Sequence, residues 1–439
     1  MLPDASILGR LPAGWAEPAT LLVMLAVFGI LSAGLRWQTG IALGVAAWAG
    51  AAANGKLLPV RHLVEGGTAY LDPLLAIATA MVFMRVLLDG GALDAIGGAV
   101  ERAFGSRPLL LLPAVMLLVM FPGMITGSST ASVLTTGVMA LTILDGLGLP
   151  RDRSAAFVAM GGVLGMVAPP INIPAMIIGA GLDLPYAGFG VPLSLLSFPV
   201  ALVTGYLLAW PVLRRRSSAS LPLTRPDGTA AGKAVPLGRA LLGPLVAVLL
   251  MVLPRVAPTA IPDPGLPLAF LAAAAVGVAS VPRFDVRASL VRATEEALPV
   301  LGILVGVGAF IQVLTLTGAR GFVVSLMVAS PPGALIGVAA VGLPLFGAVS
   351  AFGSASVLGV PLLLALLGRS DVVVASGLSA LASIGDLMLP VALAPTLAAQ
   401  AAGVPRLAVV RRCVVPALLL IAAAVAVLSA APAIGRLLK

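Results

Sequence analysis

Runs of uncharged apolar residues, each close to the length of a bilayer crossing or half of one, recur from residues 17–35 to 410–431. The others fall at 38–53, 71–88, 108–122, 130–144, 154–168, 184–212, 237–254, 265–281, 297–317, 334–349, 354–368 and 372–390. A helix needs about 20 such residues to span the hydrocarbon core. Non-helical backbone cannot be left facing lipid, so this pattern dictates an all-α, polytopic membrane protein. Several runs are too short for a full span and meet at Gly, Ser or Pro, the pattern of re-entrant hairpins and broken helices. The stretch Pro18–Leu35, between Glu17 and Arg36, lacks a basic leader and a small-residue cleavage site, so a retained first span is expected.

Charge agrees with this reading. Only 10% of the residues are charged and 60% are hydrophobic, whereas a soluble domain carries about 25% charged residues. The formal net charge of +9 lies in short loops. That is the positive-inside pattern of a membrane protein and not a nucleic-acid surface. The linker 214–239 holds Arg214, Arg215, Arg216, Arg225, Lys233 and Arg239 against Asp227, which places it in the cytoplasm. Two runs later, Arg283, Arg287 and Arg292 return to the same side, so the intervening "RVAPTAIPDPG" faces outward. Together these features point to a multi-pass membrane protein.

The residues for catalysis are missing. One cysteine, Cys413, and one histidine, His62, supply neither a disulfide, a metal cluster nor a Ser-His-Asp set. No glycine loop precedes a Lys-Ser/Thr pair, so no ATP site is expected. The chain is read as no enzyme, with no cofactor beyond a coupling ion. Cys413 is expected to pack as a small apolar residue. His62, Trp37, Trp48 and Trp210 suit the membrane edge.

"GMITGSSTASVL" at 123–134 and "GAVSAFGSASVL" at 347–358 interrupt the apolar runs in the same way. Superposed, Thr126 falls over Ser350, Ser129 over Gly353, Thr130 over Ser354 and Ser132 over Ser356. Downstream, Gly165 falls over Gly385 and Pro170 over Pro390. A duplicated unit over roughly 71–180 and 297–402 follows. Three runs lie between the copies, an odd number of crossings, so the copies are inverted, as in alternating-access carriers.

The four interruptions are the candidate site. At the first hairpin tip Thr126, Gly127, Ser128, Ser129 and Thr130 offer hydroxyls, free carbonyls and a helix N-terminus suited to an anion or to Na⁺. The second tip offers Ser350, Gly353, Ser354 and Ser356. The first proline break, "GMVAPPINIP", brings Pro169, Pro170 and Asn172. The second, "SIGDLMLP", brings Ser383, Asp386 and Pro390. Asp386 is the only charge from Val372 to Pro405, and an ionisable residue inside a span is a functional candidate. It is read as a ligand for the coupling cation or a proton, with a water-edge position as the alternative. Na⁺ is assigned to Ser128, Ser129, Ser354 and Asp386. Arg85 either snorkels to the membrane edge or anchors a substrate carboxylate. "GALDAIGGAVERAFG" is amphipathic and suits the surface.

The stretch "DPLLAIATAMVFMRVLLDGGALDAIGGAVERAFGSRP", followed by "GMITGSSTASVL" and "GMVAPPINIP", resembles the large membrane subunit of tripartite ATP-independent periplasmic (TRAP) transporters, within the ion-transporter superfamily. The similarity runs over essentially the whole chain and is most specific from Asp72 to Ala180. It implies an elevator with a mobile domain built from the two repeats and a scaffold of the other spans. It further implies Na⁺-coupled import of an organic acid, often a dicarboxylate or sialic acid, with a periplasmic binding protein and a small membrane subunit as partners. The chain departs from the family at Ile171-Asn172, where a serine usually follows Pro-Pro, at Leu389-Pro390, and at Asp386.

The expected organisation is scaffold helices over 1–70, transport repeat 1 over 71–182, central scaffold helices over 183–296, transport repeat 2 over 297–405 and a C-terminal helix over 406–439. Two alternatives stay open: a stand-alone cation or proton symporter of the same superfamily needing no binding protein, and a channel. A homodimer is also left open.

Overall fold

Glycine and proline set the helix boundaries along this chain. The structure, a computed structural model, describes residues 15–215, 235–257, 259–281 and 284–437. Arg216, Arg225, Asp227 and Lys233 of the basic linker, and Arg283, lie outside the described residues. Within them every regular element is helical. Six helices are long and apolar enough to cross a membrane: Leu71–Asp89, Pro108–Thr126, Gly190–Arg214, Leu237–Val256, Val286–Leu316 and Arg406–Ser429. The first expected span is helical too, as Ala16–Gly29 continued by a π-turn over Ile30–Gly34.

The helices pack as two groups. A frame is formed by Ala16–Gly29, Thr39–Ala53, Val60–Thr68, Leu71–Asp89, Leu242–Val256, Gly265–Ser280 and the long helix Val286–Leu316. Small residues let its backbones touch. Gly40 lies against Gly302 and Gly306, and Gly66 against Gly308, so any side chain there would collide with main chain. Such small-residue seams are how helices associate where lipid removes the hydrophobic drive.

The second group contains both hairpins and both broken helices. The first hairpin is Pro108–Thr126, returning as Ser129–Thr135 and Gly137–Gly146. The second is Pro332–Gly347, returning through Ala351–Ser354, a π-turn at Ala355–Gly359 and Val360–Ala365. The first broken helix runs Arg151–Val167 and then Ile173–Ala180. The second runs Asp371–Ser383, a 3₁₀ turn at Ile384–Leu387 and then Leu393–Ala402.

Two helices pack differently from the expected organisation, and the C-terminal helix, given no group there, joins the hairpin body. Gly190–Arg215, expected among the central scaffold helices, packs on Arg151–Val167 in the hairpin body. Arg406–Ser429 packs there too, on Asp371–Ser383 and Arg151–Val167. Leu71–Asp89, expected in transport repeat 1, packs in the frame against Gly265–Ser280 and Val286–Leu316. These helices are apolar nearly all round, so no face of the sequence marks which neighbour each will choose.

The two groups are joined by short amphipathic helices, Ala92–Phe104 and Ala319–Val328. Each starts at a left-handed glycine, Gly91 (φ +73°) and Gly318 (φ +76°), a conformation that a Cβ disfavours. The turn direction out of the frame is thus written the same way in both copies.

Arg85 is held in a cluster of ion pairs. Its guanidinium pairs with Asp89 at 2.7 Å and with Glu296 at 2.9 Å. Asp89 also accepts from Ser289 Oγ at 2.5 Å and from Arg292 at 3.1 Å. The cluster ties Leu71–Asp89 to Val286–Leu316 at the end where the basic loops were placed. Cys413 is buried, as expected, and Trp37, Trp48 and Trp210 are exposed.

Candidate functional site

Gly127 ends the first limb of hairpin 1 with φ +66°, and Ser128 starts the return limb as an N-cap whose Oγ accepts from Ala131 N at 3.3 Å. The cap satisfies one of the amides left open at a helix start. In hairpin 2, Ser350 does the same for Gly353 N at 3.1 Å. The equivalent caps are therefore Ser128 and Ser350, and not Thr126 and Ser350 as the sequence superposition pairs them. Counted from the aligned glycines Gly123 and Gly347, the second tip has two fewer residues before its cap. The π-turn over Ala355–Gly359 follows in the return limb, and the sequence register is regained at Ser356.

The tips lie at the breaks. A side chain at Gly127 would press on Ile171 and Ile173 of the first break, and Ile171 N donates to the Met124 carbonyl at 3.1 Å. Gly123 meets the backbone at Gly165, and Gly347 meets Gly385, the corresponding pair in the second copy. The breaks turn through cis bonds at Pro169-Pro170 and Leu389-Pro390.

The two copies interlock. The return limb of hairpin 1 packs on Leu393–Ala402, the far half of broken helix 2. The return limb of hairpin 2 packs on Ile173–Ala180, the far half of broken helix 1. Ser129 Oγ donates to Asp386 Oδ2 at 2.5 Å, joining residues 257 positions apart. No basic side chain among the described residues pairs with Asp386. Asp386 sits partly buried in the 3₁₀ turn that ends a helix, where the helix dipole opposes an anion. The Ser129 hydroxyl is the one side-chain hydrogen-bond partner of this carboxylate among the described residues.

The other candidates divide by what their polar atoms do. Asn172 is fully buried and fully committed: Oδ1 accepts from Ala175 N at 2.8 Å, and Nδ2 donates to the Val167 carbonyl at 2.9 Å and to Ser379 Oγ at 3.2 Å. Its backbone N–H donates to Tyr186 Oη at 3.0 Å. Asn172 therefore joins the two broken helices to each other. Thr126, Ser354 and Ser383 donate to main-chain carbonyls of Pro122, Leu343 and Ser379 at 2.7, 2.7 and 2.8 Å. Thr130, Pro169 and Pro170 are partly exposed, Pro390 is exposed, and Gly353 is buried.

Three buried hydroxyls, Ser132 Oγ, Ser356 Oγ and Thr204 Oγ1 on Gly190–Arg215, have no hydrogen-bond partner among the described residues, and the first two form a pair. They occupy the same place in the two hairpins, in the shared "ASVL". Buried polar atoms are almost always paired, so a matched pair of orphans points to a ligand. The sequence reading names Ser356 as a candidate but leaves out Ser132, although its alignment with Ser356 was the signal that identifies it. Ser379 and Tyr186 were also missed, since small polar residues on a buried helix and a loop tyrosine carry no motif.

The family profile described as "Tripartite ATP-independent periplasmic transporter, DctM component" matches residues 11–434. Among solved structures, the crystal structure of the YdaH transporter of Alcanivorax borkumensis is similar, with a TM-score of 0.66 at 15% identity. The alignment covers 96% of this chain and 99% of that one. At that identity the likeness concerns the fold. No curated protein matches the chain significantly.

Proposed function

Because the chain belongs to the DctM-component family of tripartite ATP-independent periplasmic transporters, we propose that it is an ion-coupled carrier that imports small organic anions by an elevator movement of the hairpin body against the frame. Membership makes it a multi-pass component of a TRAP-type secondary transporter, the large component of a system that works with a binding protein and a small subunit. The coupling ion, the solute and the movement are the proposal.

The observation that carries it is the matched pair of unpartnered hydroxyls, Ser132 and Ser356, one in each inverted hairpin. Hydroxyl oxygens beside re-entrant turns are natural Na⁺ ligands. Asp386, bonded to Ser129 across the two copies, supplies a formal negative charge that would strengthen cation binding on the hairpin 1 side. The helix starts at Ser128 and Ser350 present amides toward an anionic solute. Dicarboxylates are the solute class that the family resemblance implies. Two left-handed glycines at the arms give the body matched pivots on the frame.

The test is uptake of radiolabelled organic acids into proteoliposomes, with a sodium gradient, a proton gradient or neither, and with or without a periplasmic binding protein. Uptake that needs sodium and the binding protein supports the proposal. Sodium-driven uptake without a binding protein supports the stand-alone symporter. Gradient-independent flux far above carrier turnover refutes both.

A further inference from the structure

Between the body and the frame runs an apolar groove of about 570 Å³. Its frame wall is Leu242–Val256, including Ala247, Val248 and Val252, and its body wall is the start of Gly190–Arg215, including Val191 and Leu195. Val191, Leu195, Val248 and Val252 are each about half exposed along their edges. Both helices read as membrane spans, so the groove opens sideways into lipid. Its inner end reaches Pro169 and Pro170 of the first break.

One charge lies on this groove. Arg255 stands at the end of Leu237–Val256 away from the basic linker. No carboxylate among the described residues pairs with its guanidinium. It leans across the mouth toward the body: a Cβ placed on Gly190 would lie 3.4 Å from Arg255 Nη1. From Pro244, the first residue of this helix in the lining, to Arg255 the helix rises about 16 Å at 1.5 Å per residue. That is close to one leaflet, half of a hydrocarbon core about 30 Å thick.

We infer that this groove binds one anionic phospholipid of the outer leaflet, its phosphate on Arg255 and one acyl chain laid between frame and body. Three observations select this occupant. The walls are apolar over one leaflet's depth, which suits a chain. The mouth carries an unpaired guanidinium at the headgroup level, where Arg recognises phosphate well. The groove is open to the bilayer, which supplies the lipid without an aqueous path. Such a lipid sits on the sliding seam, touching both groups at once. The inference does not depend on which solute or ion is carried.

Native mass spectrometry of the purified chain with added palmitoyl-oleoyl phosphatidylglycerol tests it. One phosphatidylglycerol per chain should be retained under conditions that strip annular lipid. Retention should fall at least fivefold in Arg255→Gln, which removes the head contact, and in Ala247→Phe, which fills the groove. It should be unchanged in Arg61→Gln, an exposed arginine on another helix. Equal retention in all variants would overturn the inference. So would displacement by millimolar inorganic phosphate, which would mark a head-only anion site. Displacement by decanoate that is itself taken up into proteoliposomes would assign the groove to solute and overturn it as well.

Discussion

Replacing both Ser132 and Ser356 by alanine separates ion binding from structure, because it should raise the stability of the sodium-free protein and shrink the stability that sodium adds. Each orphan hydroxyl is desolvated without compensation, a cost of about 1–3 kcal/mol when no ligand is present. The double substitution should therefore raise the melting temperature of sodium-free protein. Sodium should narrow or cancel that gain. At a concentration 100 times the dissociation constant, binding to the folded state contributes about 2.7 kcal/mol. If the variant binds sodium about a hundredfold more weakly, the same concentration contributes only about 0.4 kcal/mol. A thermal-shift titration with sodium chloride, against choline chloride at equal ionic strength, reads both effects in one experiment. A variant that melts lower without sodium, or that keeps the full sodium increment, would refute the assignment of these hydroxyls to the ion.

The remaining expectations concern the surrounding residues. Asp386→Asn removes a charge worth roughly 4 kcal/mol to a cation about 4 Å away at an effective dielectric near 20; sodium half-saturation of uptake should rise by orders of magnitude, or the pH dependence of uptake should flatten if the carboxyl carries a proton. An unaltered sodium and pH profile would remove Asp386 from coupling. Ser129→Ala combined with Ser354→Ala should weaken ion or solute binding at least tenfold while the protein still inserts and purifies as a folded species, checked by equilibrium binding. Asn172→Ala leaves Ser379 and two main-chain groups without their partner and should destabilise by about 2–4 kcal/mol, seen in thermal unfolding without sodium. Gly127→Ala forces a side chain onto Ile171 and Ile173 at a left-handed backbone and should cost about 1–3 kcal/mol.

The interruptions were legible because each breaks a local rule. Glycine and serine stop an apolar helix at Gly127 and Ser350, and paired proline stops another at Pro169. The duplication was legible from "ASVL" and from Gly165 and Gly385. Its detailed register at the tips was not, because the two hairpins place their caps at different distances from the aligned glycines, a difference that an ungapped alignment smooths over, which is why Thr126 and not Ser128 was set against Ser350. Asp386 was conspicuous as the one charge in its run, but its partner Ser129 lies in the other copy, and no periodicity links them. The grouping of Gly190–Arg215 with the hairpins was equally hidden, since an all-apolar helix advertises no neighbour. The pairing of Arg85 with Asp89, four residues on, could be read in the sequence, but that with Glu296 could not, since only the packing of two distant helices brings it near.

The amide of Asn172, clasping Ser379, has a consequence for how such a molecule can be altered or rebuilt. It ties the kink of the first half to the helix that leads into the kink of the second, so movement at one side is felt at the other. A hybrid assembled from the first half of this chain and the second half of a relative would inherit only one side of that clasp. Function in such a hybrid should hinge on exchanging both positions together, however well each half resembles its template alone.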